Sequence, residues 1–151
     1  MGVNSDPDYY MQPLVSRSIY LIGSLRNPAI REIANTLRAE GHIVFDDWHA
    51  SGPQADDIWK DYEKQRGRTY LEALKGSFAR NAFNYDKEHL EEADTVILVL
   101  PAGKSGHMEF GYAIRSGKRG FILLDDADRW DMMYLFATGV FDNLQSLMEA
   151  I

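Results

Sequence analysis

Short apolar runs alternate along the chain with segments of helical periodicity. Glycine, proline or charged residues bound each run, as is typical of buried parallel strands, and the runs cover 18–22, 42–45, 94–100 and 119–124. Helical spacing of apolar residues follows each of the first three runs. This alternation predicts an α/β fold: a single domain with a mainly parallel sheet of about four to five strands and helices on both faces, Rossmann or flavodoxin-like.

Turn and cap residues set the predicted helix limits. Asn27 as N-cap and Pro28 at the first helical position begin a helix that ends at Gly41. Other helices are predicted at 55–64, inside a polar insertion at 50–68, at 129–137, and at 142–150 with Asp142 as N-cap. A helical region at 69–93, in two pieces, carries on one face Leu71, Leu74, Phe78, Ala82 and Phe83. Residues 1–16 form a loosely held leader, and 17–151 the domain.

Composition narrows the function classes. With 151 residues, a net charge of -7 and a pI near 5.0, the chain lacks the basic stripe of a nucleic-acid binder. No cysteine is present, and the four histidines lack metal-ligand spacing, so no metal and no cofactor are predicted. The apolar runs are too short to span a membrane, and a secretory signal is missing. We therefore expect a soluble cytoplasmic protein with a small-molecule substrate.

Candidate binding residues follow the predicted strands, because ligands of open α/β sheets bind outside the carboxyl ends of the strands. These positions combine hydroxyls, an arginine, carboxylates and an aromatic ring: Gly23, Ser24, Arg26, Asp46, Asp47, Trp48, His49, Gly103, Lys104, Ser105 and Gly106. The loop from Gly23 to Arg26 could hold an anion at a helix start, although it could equally be an ordinary strand-to-helix turn.

Glu109 is the candidate reactive group. It lies in the small, apolar segment 105–113, where a charged side chain is unusual. In the first turn of the predicted helix 106–116, the helix dipole would keep it ionised, as suits a nucleophile. A glutamate there could also merely stabilise the helix. Asp86, on the helix that leads into the same strand, is a second carboxylate near this edge.

Three segments of the chain together resemble the nucleoside 2-deoxyribosyltransferase family, including its 2'-deoxynucleoside 5'-phosphate N-hydrolase branch. They are 20–26 (YLIGSLR), 86–94 (DKEHLEEAD) and 106–113 (GHMEFGYA), with Gly117 and Lys118 after the last. The resemblance implies that Glu109 is the nucleophile that forms a glycosyl-enzyme, that Asp86 assists it, and that Tyr20 orients the sugar. It also implies that the loop residues Gly23, Ser24 and Arg26 hold the 5'-phosphate. Besides these three, we assign as substrate-binding residues Asp47, Trp48, Ser105, Gly106 and Met108.

The resemblance indicates which bond is cleaved, but it does not decide between hydrolysis and transfer to a second base. Gly103 stands where the family has an acidic residue in transferases or a serine in phosphate-reading hydrolases. Hydrolysis of a nucleotide is the leading hypothesis. The alternatives are base exchange between deoxynucleosides, cleavage of a nicotinamide dinucleotide, and a non-catalytic nucleotide sensor. Because family members share sites between neighbours, we expect a homo-oligomer, with the apolar segment 132–136, Phe141 and Leu144 as a candidate interface.

Overall fold

A parallel five-stranded sheet forms the centre of the molecule. The computed structural model describes residues 15–151. The strands are β1 (Ser18–Ile22), β2 (Ile43–Phe45), β3 (Thr95–Val99), β4 (Arg119–Leu123) and β5 (Gly139–Phe141). They lie in the order β2-β1-β3-β4-β5, and each neighbouring pair is parallel. This is the flavodoxin-like order, so the predicted α/β fold is confirmed.

Helices join the strands. The α-helices are α1 (Ile30–Ala39), α2 (Ala55–Gln65), α3 (Tyr70–Leu74), α4 (Ser77–Glu92), α5 (Lys104–Arg115) and α6 (Leu144–Ala150). Two short 3₁₀ helices cover Asp47–Ser51 and Met132–Phe136. The region 69–93 is in two pieces as predicted, and a capping box between Thr69 and Glu72 begins the first.

The alternation of side chains along β1 divides the core into two layers. Ile19 and Leu21 pack on one face of the sheet with buried residues of α1 and α6, whereas Tyr20 and Ile22 pack on the other with residues of α4 and α5. The α4 and α5 layer includes Leu90, Ala93, Phe110 and Ala113. Tyr20 is therefore the buried polar side chain that β1 directs toward these two helices.

Two predicted caps are wrong. Asn27 does not cap α1; its Oδ1 accepts a hydrogen bond from the Ala29 N–H at 3.0 Å, which forms a turn before the helix begins at Ile30. Asn143, not Asp142, caps α6, because its Oδ1 accepts from the Ser146 N–H at 2.8 Å. The residue next to the predicted cap thus caps α6, whereas α1 begins without a side-chain cap.

The polar insertion forms a helical unit beside the sheet. Within it, the buried carboxylate of Glu63 accepts a hydrogen bond from Arg68 Nη1 at 2.9 Å. The apolar face predicted for 69–93 is exposed: the side chains of this face that stand in solvent are Leu71, Leu74, Phe78, Ala82 and Phe83. Only Ala73, Leu90 and Ala93 of that region are buried hydrophobic residues.

Three further expectations concern the termini, the membrane and the assembly. The predicted leader falls almost wholly on residues 1–14, which lie outside the described part of the chain. Within residues 15–151, none of the helices has the length and apolar character needed to cross a bilayer. Of the predicted interface segment, Met132, Met133, Leu135 and Phe136 are exposed in the single chain, and the homo-oligomer stays a prediction.

Candidate active site

The site lies where the strand order reverses. β1 pairs with β2 on one side and with β3 on the other, and the helices that follow β1 and β3 cover opposite faces of the sheet. Such a reversal opens a crevice at the carboxyl ends of the two strands. Side chains from β1, α4 and α5 meet at this crevice.

Glu109 lies in the second turn of α5, not in the first turn as the sequence predicts. The helix begins at Lys104, because Gly103 takes the extended N-cap conformation two residues earlier than expected. The helix-dipole argument for an ionised Glu109 therefore fails, since the dipole acts mainly on the first turn.

Burial favours the protonated form of Glu109, whereas the sequence predicts the ionised form. Loss of hydration is the largest effect and raises the pKa of Glu109 to about 7. The hydrogen bond from the Tyr20 hydroxyl acts against it and lowers the pKa, while the nearby charge of Asp86 raises it. Near neutral pH this carboxyl group is thus partly protonated, and a small change in its surroundings shifts the fraction that is ionised.

Asp86 and Tyr20 complete what we call the carboxylate cluster: Tyr20, Asp86 and Glu109. Burial raises the pKa of Asp86, and His89 lowers it. Burial also raises the pKa of Tyr20, and the charges of Glu109 and Asp86 raise it further. Tyr20 accordingly stays protonated and acts as a hydrogen-bond donor at physiological pH. The cluster thus contains a hydrogen-bond donor, the Tyr20 hydroxyl, and two carboxyl groups whose negative charges repel each other.

Gly106 brings α5 close to the sheet. A Cβ atom at this position would lie 3.1 Å from Ile22 Cγ2 and 3.2 Å from Ala102 Cβ, which is tighter than ordinary contact, so a neighbour would have to shift by a few tenths of an ångström. Gly106 is buried, one turn before Glu109. Because Gly106 has no side chain, α5 packs close to the sheet and holds Glu109 near β1. Gly106 thus contributes through packing, whether or not it also contacts a substrate.

The loop after β1 leaves its cationic group free for a ligand. Ser24 Oγ accepts a hydrogen bond from the Arg26 N–H at 3.1 Å, which holds the turn. The Arg26 side chain is 76% exposed, and its contact with Asp57 of α2 is long, 3.8 Å from Nη2 to Oδ2. So weak a surface pair leaves the guanidinium able to bind an anion.

Trp48 and Asp47 lie at the end of β2, beside this loop. The Trp48 indole N–H donates to the Leu21 carbonyl at 2.8 Å, and the ring packs between the two core layers. Its polar atom is thus committed to the protein, so a ligand could contact only the carbon atoms of the ring. Asp47 is exposed, and its Oδ2 lies 3.5 Å from the Tyr85 hydroxyl.

The remaining predicted contacts lie at the start of α5. Ser105 and Met108 are both exposed, Met108 by 76%. Gly103 is also open: a Cβ there would meet no atom within 4 Å. The Gly103 carbonyl accepts hydrogen bonds from His107, whose Nε2 lies 2.9 Å from the Tyr134 hydroxyl. These side chains are accessible at the crevice rim, on the same helix as Glu109.

Three aromatic side chains near the cluster are not among the site residues that the sequence predicts. Phe45 stacks on Tyr20 with ring centroids 5.1 Å apart, and His89 stacks on Phe45 at 4.1 Å. The ring centroids of Tyr85 and His89 lie 4.5 Å apart. The position of His89, one helical turn after Asp86, was a usable signal, whereas the sequence gives no sign that Phe45 reaches both neighbours.

The described residues offer no obvious metal centre. Across 15–151, no group of three or more histidine or acidic side chains could hold a metal ion.

The fold is shared with a solved structure, whereas two other comparisons give no match. No protein-family model matches the chain, and no curated protein matches its sequence. Among solved structures it is similar to a 2-deoxyribosyltransferase from the psychrotolerant bacterium Bacillus psychrosaccharolyticus, with 20% identity and a TM-score of 0.56. The match covers 85% of this chain and 88% of that one. The chain therefore shares, over most of its length, the flavodoxin-like α/β fold of that 2-deoxyribosyltransferase.

Proposed function

We propose that the protein is an enzyme that cleaves the N-glycosidic bond of a deoxynucleoside or of its 5'-phosphate. The carboxylate cluster carries this proposal. A half-buried carboxylate that faces a second acid and a tyrosine, with no arginine or lysine among the groups that shift its pKa, is poorly suited to a structural role. It suits a reaction in which positive charge develops on a sugar ring.

In the first step, a Glu109 carboxylate oxygen bonds to the anomeric carbon while the bond from that carbon to the base nitrogen breaks. The electron pair leaves with the base, and the Asp86 carboxyl group donates a proton to it. Tyr20 donates a hydrogen bond that stabilises the ionised form of Glu109. The product of this step is a glycosyl ester on Glu109 and a free base.

In the second step, an acceptor attacks the same carbon. When water attacks, Asp86, now ionised, takes its proton, and the ester bond breaks to restore the Glu109 carboxylate. When a second base attacks, the products are a new nucleoside and free enzyme. The fold shared with a 2-deoxyribosyltransferase favours this base exchange as the second candidate function.

The open cation of Arg26 supports a 5'-phosphate as part of the substrate. Arg26 and Ser24 lie in the loop after β1, at the same edge as the cluster. A guanidinium pairs well with a phosphate, and the loop offers backbone N–H groups as well.

The test is a product assay. The protein is incubated with nucleosides and their 5'-monophosphates, with and without a second free base, and products are separated by chromatography. We expect release of free base, and a protein mass increased by the sugar when the reaction is quenched in acid. Glu109→Gln is expected to abolish both. Binding of nucleotides without product would instead favour a sensor, and Glu109→Gln with unchanged activity would overturn the role of Glu109.

A further inference from the structure

An aromatic stack connects the two sides of the carboxylate cluster. The ring of Phe45, at the end of β2, lies between Tyr20 of β1 and His89 of α4. The planes deviate from parallel by only 22° on the Tyr20 side and 16° on the His89 side, with centroids 5.1 and 4.1 Å apart. The Tyr20 hydroxyl lies beside the Glu109 carboxyl group, and His89 follows Asp86 by one turn, so each end of the stack lies beside one carboxylate.

Hydrogen bonding holds the imidazole in its orientation. His89 Nδ1 lies 2.8 Å from the Tyr85 carbonyl oxygen. Because a carbonyl only accepts, Nδ1 must carry the hydrogen. The ring is thus fixed on α4 by a backbone bond and held flat against Phe45, and it cannot turn without breaking one of these contacts.

We infer that Phe45 and His89 act as a stacked spacer that fixes the separation between Glu109 and Asp86. The inference rests on the proposed function and adds two positioning residues to it. Tyr20 and Asp86 belong to different elements, a central strand and a half-exposed helix. The Phe45 ring lies between the rings of Tyr20 and His89, so that α4 cannot approach β1 more closely or move away without losing the stack.

The separation of two carboxyl groups decides the route of glycoside cleavage. At about 5–5.5 Å the second group can attack the sugar, whereas at about 6.5–9.5 Å a water molecule fits between them and attacks directly. In the proposed covalent mechanism, the spacer holds the two carboxyl groups at the shorter separation. When it is lost, water enters the cluster, less glycosyl ester forms, and transfer to a second base decreases relative to hydrolysis.

Four variants test the spacer. His89→Ala and Phe45→Leu each remove one ring of the stack, and we expect kcat to fall about 10- to 100-fold with a smaller change in KM, as for misplaced reacting groups. The yield of trapped ester falls with it. His89→Phe keeps a ring but no imidazole, and is expected to stay within about 3-fold of the wild type. Phe83→Ala, which removes an aromatic ring that is 65% exposed on the same helix, serves as the matched control and changes neither quantity.

The double variant separates positioning from general stability. If both residues act through one stack, Phe45→Leu with His89→Ala costs no more activity than the more severe single change. Additive losses would overturn the inference, as would a His89→Phe variant as impaired as His89→Ala, since the imidazole itself would then be required. Thermal unfolding of each variant checks that the compared proteins are folded.

A titration makes the test independent of turnover. The ionisation of Glu109 is followed by carbon NMR of its side-chain carboxyl group. Entry of water in Phe45→Leu and His89→Ala is expected to lower the pKa of Glu109 from about 7, whereas His89→Phe leaves it unchanged. An unaltered titration in Phe45→Leu overturns the spacer. A wild type that titrates as expected but releases no base overturns the proposed function alone.

Discussion

Glu63 and Glu109 are glutamates withdrawn from water in two regions of the same chain, and their partners differ. The Glu63 carboxylate, in the helical insertion, accepts a hydrogen bond from Arg68 at 2.9 Å. The Glu109 carboxylate, at the sheet, faces the Tyr20 hydroxyl and the acidic Asp86. A buried charge with a cation beside it serves structure, whereas a buried charge beside another acid is held in a state that favours reaction. The difference separates the two regions by function, although both residues lie on amphipathic helices.

Substitution at the two sites should give opposite outcomes. Glu109→Gln is expected to reduce base release at least about 1000-fold while the protein stays folded, because the nucleophile is lost. Arg68→Met leaves the Glu63 carboxylate buried without its cation, and should lower the free energy of unfolding by about 3–5 kcal/mol with little effect on activity per folded molecule. Product chromatography and urea unfolding measure the two effects.

The control for the structural pair removes both charges. The double change Glu63→Leu with Arg68→Met is expected to recover most of the lost stability, because no charge remains buried. A loss of activity in this double variant, with stability restored, would show that the insertion does more than support itself.

The pH dependence of stability should also distinguish Glu109. Its pKa is about 7 when folded but 4.5 when its environment is ordinary, so the folded state binds the proton more tightly. Stability is thus lost as the pH rises from about 4.5 to about 7, by on the order of 3 kcal/mol in total. Glu109→Gln abolishes this loss. It should match the wild type near pH 4.5 and exceed it at pH 8 in denaturant unfolding, and equal curves at both pH values would contradict the shift.

Removal of the Tyr20 hydroxyl should impair activity mainly on the acidic side. The hydrogen bond from Tyr20 lowers the pKa of Glu109, so Tyr20→Phe raises that pKa above about 7. Because the nucleophile must be ionised, the acidic limb of the kcat/KM profile moves to higher pH, and activity at pH 6 falls about 10- to 100-fold, more than at pH 8.

Tyr112→Phe is the matched control for this profile. Tyr112 also donates to a glutamate, Glu91, at 2.6 Å, but on the exposed surface between α5 and α4. The acidic limb is expected to stay in place in Tyr112→Phe. A limb that shifts equally in both variants would mean that Glu109 does not control it.

The smallest expected effect concerns the phosphate. Arg26→Gln should raise KM for a nucleoside 5'-monophosphate about 10-fold, with no change for the nucleoside, since the lost contact is charge-assisted and exposed. Arg31→Gln, at another exposed arginine just beyond the loop, should leave both KM values unchanged. Equal losses on nucleoside and nucleotide would place Arg26 outside the phosphate site.

The sequence was informative where chemistry depends on strand ends and less informative where it depends on packing. The runs that became β1 and β3 locate the edge of the sheet, and the motifs around Asp86 and Glu109 contain the two acids that the structure brings together. The pKa of Glu109 could not be predicted, because it depends on burial and on the turn of α5 in which the residue lies. Phe45 and His89 meet through stacking between distant segments, which no local pattern encodes.

The pairing of β1 with β3 also determines when the site can form during folding. Ser18 donates its N–H to Asp94 at 3.1 Å across 76 positions of the chain, and everything from α1 to α4 lies inside that loop. Closing so long a loop is entropically slow, and the pairing of β1 with β3 cannot begin until β3 is available. During synthesis, Tyr20 emerges well before Asp86 and Glu109. The nascent chain therefore holds no assembled cluster until synthesis has reached the last third of the sequence.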